Sequence, residues 1–198
     1  MKRIGLLGGS FNPAHAGHRH ISIAALRRLQ LDEVWWLVSP QNPLKYAAGM
    51  APLAVRLASA RAVARHPRIR PTAIEAKLGT RFAVDTVTAL QARFPKNAFI
   101  WLAGADILPE LHRWHRWRDL LQRLPIAVLA RPRYMRQAMR SPAMAWARRW
   151  RRSAGAAAAW PDWPTPAIVV LDTPANPQSA TAIRNENPGW TRRFTTQD

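Results

Sequence analysis

Residues 4 to 18, I-G-L-L-G-G-S-F-N-P-A-H-A-G-H, constrain the fold more than any other part of the chain. A short apolar run, Ile4 to Leu7, leads into a Gly8-Gly9-Ser10 turn, then Phe11, Asn12 and Pro13, then His15 and His18. Strand, glycine turn and helix start is the local order with which α/β folds hold a phosphate. Glycine has no Cβ, so the backbone of such a turn can come close to a ligand. Asn12 followed by Pro13 reads as an N-cap and a first helical position, which would aim the unpaired N–H groups of the helix at the turn. His15 and His18 are three apart and share one helical face at that electropositive end, where two imidazoles can donate to phosphate oxygens. A tight turn with surface histidines is the plainer alternative; the glycines and the proline within the same dozen residues favour the ligand site.

The rest of the chain alternates strand-length apolar runs with helical segments, the pattern of an α/β fold with a parallel sheet. Residues 16 to 30 read as an amphipathic helix, and Glu33 to Val38 as a second strand ending at the two prolines of Ser39-Pro40-Gln41-Asn42-Pro43-Leu44-Lys45. Pro52 to Arg65 reads as a helix, Ile69 to Ala76 as an extended segment, and Phe82 to Phe94 as a helix that buries Val84, Val87 and Leu90. Ala98 to Ala103 is a buried strand followed at once by Gly104-Ala105-Asp106. Leu111 to Leu121 reads as a helix with Trp114 and Trp117 on one face, and Pro125 to Ala130 as another strand, ended by Arg131-Pro132-Arg133-Tyr134. Residues 136 to 152 read as a basic helix broken at Pro142, and 153 to 166 as a proline-rich connector. Ala167 to Leu171 is the last strand, and Ser179 starts a helix that carries Arg184.

The segment G-G-S-F-N-P-x-H-x-G-H resembles the signature of the HxGH nucleotidyltransferases, and within them that of the bacterial nicotinate-nucleotide adenylyltransferases. Neither G-x-x-x-x-G-K-[ST] nor G-x-G-x-x-G occurs in the chain. S-A-T-A-I-R, from Ser179 to Arg184, resembles the family's second signature, I-S-S-T-x-I-R, with Gln178 in place of the isoleucine and Ala180 in place of a serine. Asn12 stands where many members have aspartate.

The resemblance covers most of residues 4 to 184 and implies a single nucleotidyltransferase domain over 1–198, a Rossmann-like doubly wound parallel sheet with helices on both faces. It implies transfer of the adenylyl group of ATP to nicotinate mononucleotide, with magnesium. His15, His18 and Arg184 would be catalytic. Gly8, Gly9, Ser10, Phe11, Gly104, Asp106, Arg131, Ser179 and Thr181 would meet ATP, with Asp106 also reaching the metal through the phosphates. Lys45, Thr86 and Trp114 would hold the mononucleotide, the indole stacking on the pyridine ring. On the residues alone, Lys45 is equally a solvated loop lysine, Thr86 has the alternative of an ordinary first-turn hydroxyl, and for Asp106 and Trp114 the helix-cap and core readings are the stronger ones; the resemblance is what favours the site. Phosphopantetheine adenylyltransferase and cytidylyltransferases are the neighbouring alternatives; the P-x-N-P-x-K loop, Trp114 and the spacing to the second signature argue against both.

Composition bounds the remainder. The chain has no cysteine, so disulfides, thiolate metal sites and cysteine nucleophiles are excluded. No apolar run approaches the roughly 20 residues needed to cross a bilayer, and Lys2-Arg3 is followed by too short an apolar run for a signal peptide, so a cytoplasmic enzyme is expected. The net charge of +19, from 30 basic against 11 acidic residues, favours anionic partners. Phosphate-bearing substrates meet that description, and nucleic acid binding through the basic surface at 136–152 is a secondary reading, in its extreme form an RNA-binding protein on a degenerate transferase fold. The sequence leaves monomer and homodimer open.

Overall fold

Strands buried on both faces need apolar side chains in both directions, and the runs at 4–7, 34–38, 99–103, 126–130 and 168–171 supply them. In the computed structural model, which describes residues 1–40, 49–130, 132–173, 176 and 178–195, these runs lie in one parallel sheet. In chain order the elements begin with β1 (Lys2–Gly9), α1 (Ala16–Arg28), β2 (Glu33–Val38), α2 (Leu53–Ala64), β3 (Ile69–Thr72), α3 (Ile74–Leu78), α4 (Ala83–Arg93) and β4 (Asn97–Gly104). They continue with α5 (Leu108–Leu111), α6 (Trp117–Arg123), β5 (Ile126–Ala130), α7 (Pro132–Met139), α8 (Pro142–Ala147), β6 (Arg151–Arg152), β7 (Ile168–Asp172) and α9 (Ala180–Glu186). The strand order is β3-β2-β1-β4-β5-β7-β6, and every pairing is parallel. The order reverses direction between β1 and β4, and in open α/β sheets a ligand crevice forms outside the carboxyl ends of the strands at such a switch point.

The period-two alternation of the strands divides the core into two layers. Leu6, Trp101 and Val128 face α4, α5, α6 and α8, whereas Leu7, Leu102 and Leu129 face α1 and α2. This is the Rossmann-like, doubly wound α/β architecture expected from the sequence.

Four local expectations are corrected. The first helix starts at Ala16 with His15 as its N-cap, not at Pro13 with Asn12 as cap. Asn12 cannot cap because both its side-chain polar atoms are engaged elsewhere: Nδ2 donates to the Gly49 carbonyl at 3.0 Å and Oδ1 accepts from the Ala51 N–H at 3.0 Å. The extended segment at 69–76 stops at Thr72, and α3 follows it, closed by Gly79 at φ +65°.

The expected helix over 111–121 is two helices. Arg116 sits at φ +48°, ψ +41°, a left-handed turn that no α-helix can run through, and Trp114 lies in the turn, edge-on to Trp101 at 5.9 Å. Tertiary packing of the two indoles overrides the local period. Finally, the connector at 153–166 contains a 3-10 run from Ala154 to Asp162 and is preceded by the short strand β6. Trp160 in that run is buried, and its indole N–H donates to the Leu29 carbonyl at 2.9 Å. The break at Pro142 is observed, with Pro142 opening α8 behind the Ser141 N-cap.

Candidate active site

The end of β1 and the segment after it are shaped by rings packed against glycines; Gly8 and Gly9 are not the turn expected from the sequence but the last two residues of the strand, paired with Leu37 and Val38. A Cβ on Gly8 would stand 2.8 Å from the Trp101 indole, and one on Gly9 would stand 3.3 Å from the Phe11 ring. Phe11, at φ +48°, turns its ring into the core, where it stacks on Trp36 at 5.1 Å and meets the His18 ring at a tilt at 4.6 Å. His15 and His18 lie 3.9 Å apart between ring centroids. The His15 N–H donates to His18 Nδ1 at 3.2 Å, which in the neutral imidazole leaves the proton on Nε2. Between them, a Cβ on Gly17 would fall 2.8 Å from His15 Nδ1, so the glycine of the His-x-Gly-His spacing is dictated by the histidine ring.

The second signature arrives at this segment from the far end of the chain. Ser179 caps α9, its Oγ accepting from the Ala182 N–H at 3.1 Å. Arg184 Nη1 donates to the Asn12 carbonyl at 2.6 Å, and Nη2 donates to Thr181 Oγ1 at 3.1 Å. Gln178 Oε1 accepts from the Ala16 N–H at 2.9 Å, the first orphan donor of α1. His15, His18, Ser179, Thr181 and Arg184 are thus gathered at one end of α1.

Gly104 and Asp106 lie on the neighbouring strand's exit. The register pairs Leu7 with Leu102, so Gly9 and Gly104 end their strands at the same level. Asp106 is exposed in the turn after β4, and its Oδ1 folds back against Gly104, where a Cβ would overlap it. Trp114 is half-buried, linked through Trp101 to Gly8. Thr86 is fully buried: its hydroxyl bonds the Phe82 carbonyl, Glu75 Oε1 at 3.3 Å and the Thr80 hydroxyl at 2.9 Å. Lys45 and Arg131 lie outside the described residues.

Three residues went unrecognised in the sequence. Arg56, 1 % exposed, donates to four main-chain carbonyls around the crevice. Burial pulls its pKa down, yet a guanidinium stays charged. Its only signal was an arginine on the buried stripe of α2, beside Ser59 and Ala60. Glu75 is also buried, in contact with Thr86 and Ser39, and burial pushes its carboxyl up to about 7. Nothing in the local pattern marked it. Gln178 was visible only as a departure from isoleucine.

Among the described residues no cluster of three histidine, aspartate or glutamate side chains could hold a metal ion, and no helix is long and apolar enough to cross a membrane. Two strand-end glycines, two histidines and an arginine fork meet at the carboxyl edge of a doubly wound sheet, an arrangement that can hold phosphate groups. The model of the cytidylyltransferase-like family matches residues 6–186. A protein of Erythrobacter litoralis named "Probable nicotinate-nucleotide adenylyltransferase" is 55% identical over 97% of this chain and 88% of its own length. One of the same name from Parvibaculum lavamentivorans is 54% identical over 96% and 94%. The Plasmodium falciparum nicotinic acid mononucleotide adenylyltransferase complexed with NaAD has the same fold, with a TM-score of 0.68, 13% identity, and coverage of 93% of this chain and 83% of that one. The chain belongs to the cytidylyltransferase-like family and, within it, to the nicotinate-nucleotide adenylyltransferases.

Proposed function

We propose that the chain, working as one domain, transfers the adenylyl group of ATP to the 5′-phosphate of nicotinate mononucleotide, releasing pyrophosphate and nicotinate adenine dinucleotide. The observation that carries this reading is the junction of the two signatures: Arg184 on the Asn12 carbonyl at 2.6 Å and Gln178 on the Ala16 N–H at 2.9 Å. It brings Arg184 and Gln178 from the far end of the chain to Asn12 and Ala16, on either side of His15.

An acceptor phosphate is already a nucleophile at neutral pH, so the reaction needs no serine, cysteine or general base. One of its oxygens forms a bond to the α-phosphorus, while the bond from that phosphorus to the bridging oxygen breaks and its electron pair leaves with pyrophosphate. Catalysis is then positioning and charge stabilisation. His18 donates from Nε2, His15 stands beside it, and Arg184 keeps donors for phosphate oxygens because its fork has five N–H groups. Gly8 to Phe11, Gly104, Ser179 and Thr181 complete the ATP side, with Arg131. Lys45 and Trp114 belong to the mononucleotide side; Thr86, buried with its hydroxyl engaged by Thr80, Glu75 and the Phe82 carbonyl, acts there only by holding the start of α4.

A divalent ion, which we take to be magnesium, accompanies the polyphosphate of ATP. The donor set fits this role: one exposed carboxylate, Asp106, stands at the edge beside Gly104 and would reach the ion through the phosphates. When bound with ATP, such an ion would supply neutralisation of the charge on the departing pyrophosphate.

The test is pyrophosphate release from ATP and magnesium with nicotinate mononucleotide, nicotinamide mononucleotide or phosphopantetheine as acceptor, alongside His18→Ala. Release with nicotinate mononucleotide that drops by about 10²-fold or more in the variant supports the reading. Release only with another acceptor, or none with any, overturns it.

A further inference from the structure

Arg56 is a buried cation with no carboxylate within ion-pair distance among the described residues, and residues 41–48 contain no acid. A buried charge without a partner is costly unless its donors are satisfied. Here main-chain carbonyls satisfy them. Nε donates to Ala51 at 2.8 Å, Nη1 to Ser10 at 2.8 Å and Ser39 at 2.6 Å, and Nη2 to Pro40 at 2.8 Å.

These four acceptors belong to the two segments that frame the crevice. Ser10 directly follows Gly9, the last residue of β1. Ser39 and Pro40 open, and Ala51 closes, the stretch between β2 and α2 that carries Lys45. Asn12 ties the same segments a second time, through Gly49 and Ala51, and its own carbonyl receives Arg184. Hydrogen bonds thus run from α9 through Asn12 and Ala51 to Arg56.

We infer that Arg56 is a positioning residue that sets Ser10, on the ATP side, in register with Ser39, Pro40 and Ala51, on the acceptor side, through one rigid guanidinium fork. The catalytic part of this inference rests on the proposed reaction. Only an arginine fits: the planar fork reaches carbonyls on three sides at once, whereas the ammonium of lysine keeps the charge but is a point donor with three N–H groups. Displacing Ser10 by as little as 1 Å can cost on the order of 10²-fold in rate, because donor and acceptor must meet in line.

The test compares Arg56→Lys with the wild type and with Val169→Ala, a core change on β7 away from the crevice. The first readout is amide hydrogen exchange without ligands. Faster exchange in Arg56→Lys at both 9–12 and 49–51, absent from Val169→Ala, supports the clamp, and unchanged exchange at either segment overturns it whatever the activity. The second is steady-state kinetics well below the melting temperature. A fall of tenfold or more in kcat/KM for ATP and for nicotinate mononucleotide together is expected, with Val169→Ala near wild type. Wild-type kinetics in Arg56→Lys would overturn the catalytic part, while an inactive wild type would overturn the proposed reaction and leave the exchange result to decide the clamp.

Discussion

Replacing Glu75 by glutamine should change the pH dependence of stability in a defined direction. The carboxyl is 6 % exposed, and burial raises it from the usual 4.5 to about 7, opposed in part by hydrogen bonds from Thr86 and Ser39. Oε1 takes the Thr86 hydroxyl at 3.3 Å, and Oε2 has no hydrogen-bond partner among the described residues. A carboxyl whose folded-state pKa lies above its unfolded one binds protons more tightly when folded. Its contribution is complete below about 4.5 and is lost as pH rises through about 7. At about 1.4 kcal/mol per pH unit, the gap amounts to about 3 kcal/mol, undiscounted because the group is almost wholly out of water. For a chain of this length that corresponds to a shift on the order of 6 to 12 °C.

Glutamine keeps the shape and cannot ionise. Urea unfolding of both proteins from pH 5 to pH 8.5 reads the difference directly, since every other titrating group is common to the two. Glu75→Gln should be close to wild type at pH 5 and more stable by about 3 kcal/mol at pH 8.5. Parallel curves across that range would refute the assignment of a buried neutral carboxyl.

Two further predictions address separate parts of the molecule. Gly17→Ala should leave the fold intact but push the His15 ring aside, since the new Cβ meets it at 2.8 Å; turnover should fall by about 10²-fold with only a modest loss of melting temperature, and undiminished turnover would refute the steric role. Trp160→Ala should destabilise by about 3 to 5 kcal/mol in chemical denaturation, because it empties a fully buried site and orphans the Leu29 carbonyl; an effect under about 1 kcal/mol would mean that the 3-10 segment does not belong to the core.

Much of the architecture was legible in the chain because its cause is local. Strands with both faces covered must be apolar throughout, so the runs at 34–38, 99–103 and 126–130 announced themselves. The short strand β6 did not, because Arg151 and Arg152 carry no apolar signal and pair only with the edge of β7. Trp114 and Trp117 have helical spacing, yet the chain reverses at Arg116 because each indole packs on a different partner, Trp101 and Trp146.

For the site the division is similar. The sequence by itself determined the strand-to-helix passage, both histidines and the arginine of the second signature, since spacing along a strand–loop–helix fixes which groups share an end, but it placed the turn at Gly8 and Gly9, which the ladder with β2 keeps in the strand. Tertiary structure alone decided that Arg184 closes on Asn12, 172 positions away, that Gln178 caps α1, and that Arg56 lies buried among four carbonyls. Periodicity records which face of an element is apolar. It carries no record of which distant main-chain group a polar side chain will find there, because that partner exists only once the sheet has brought the strand ends together.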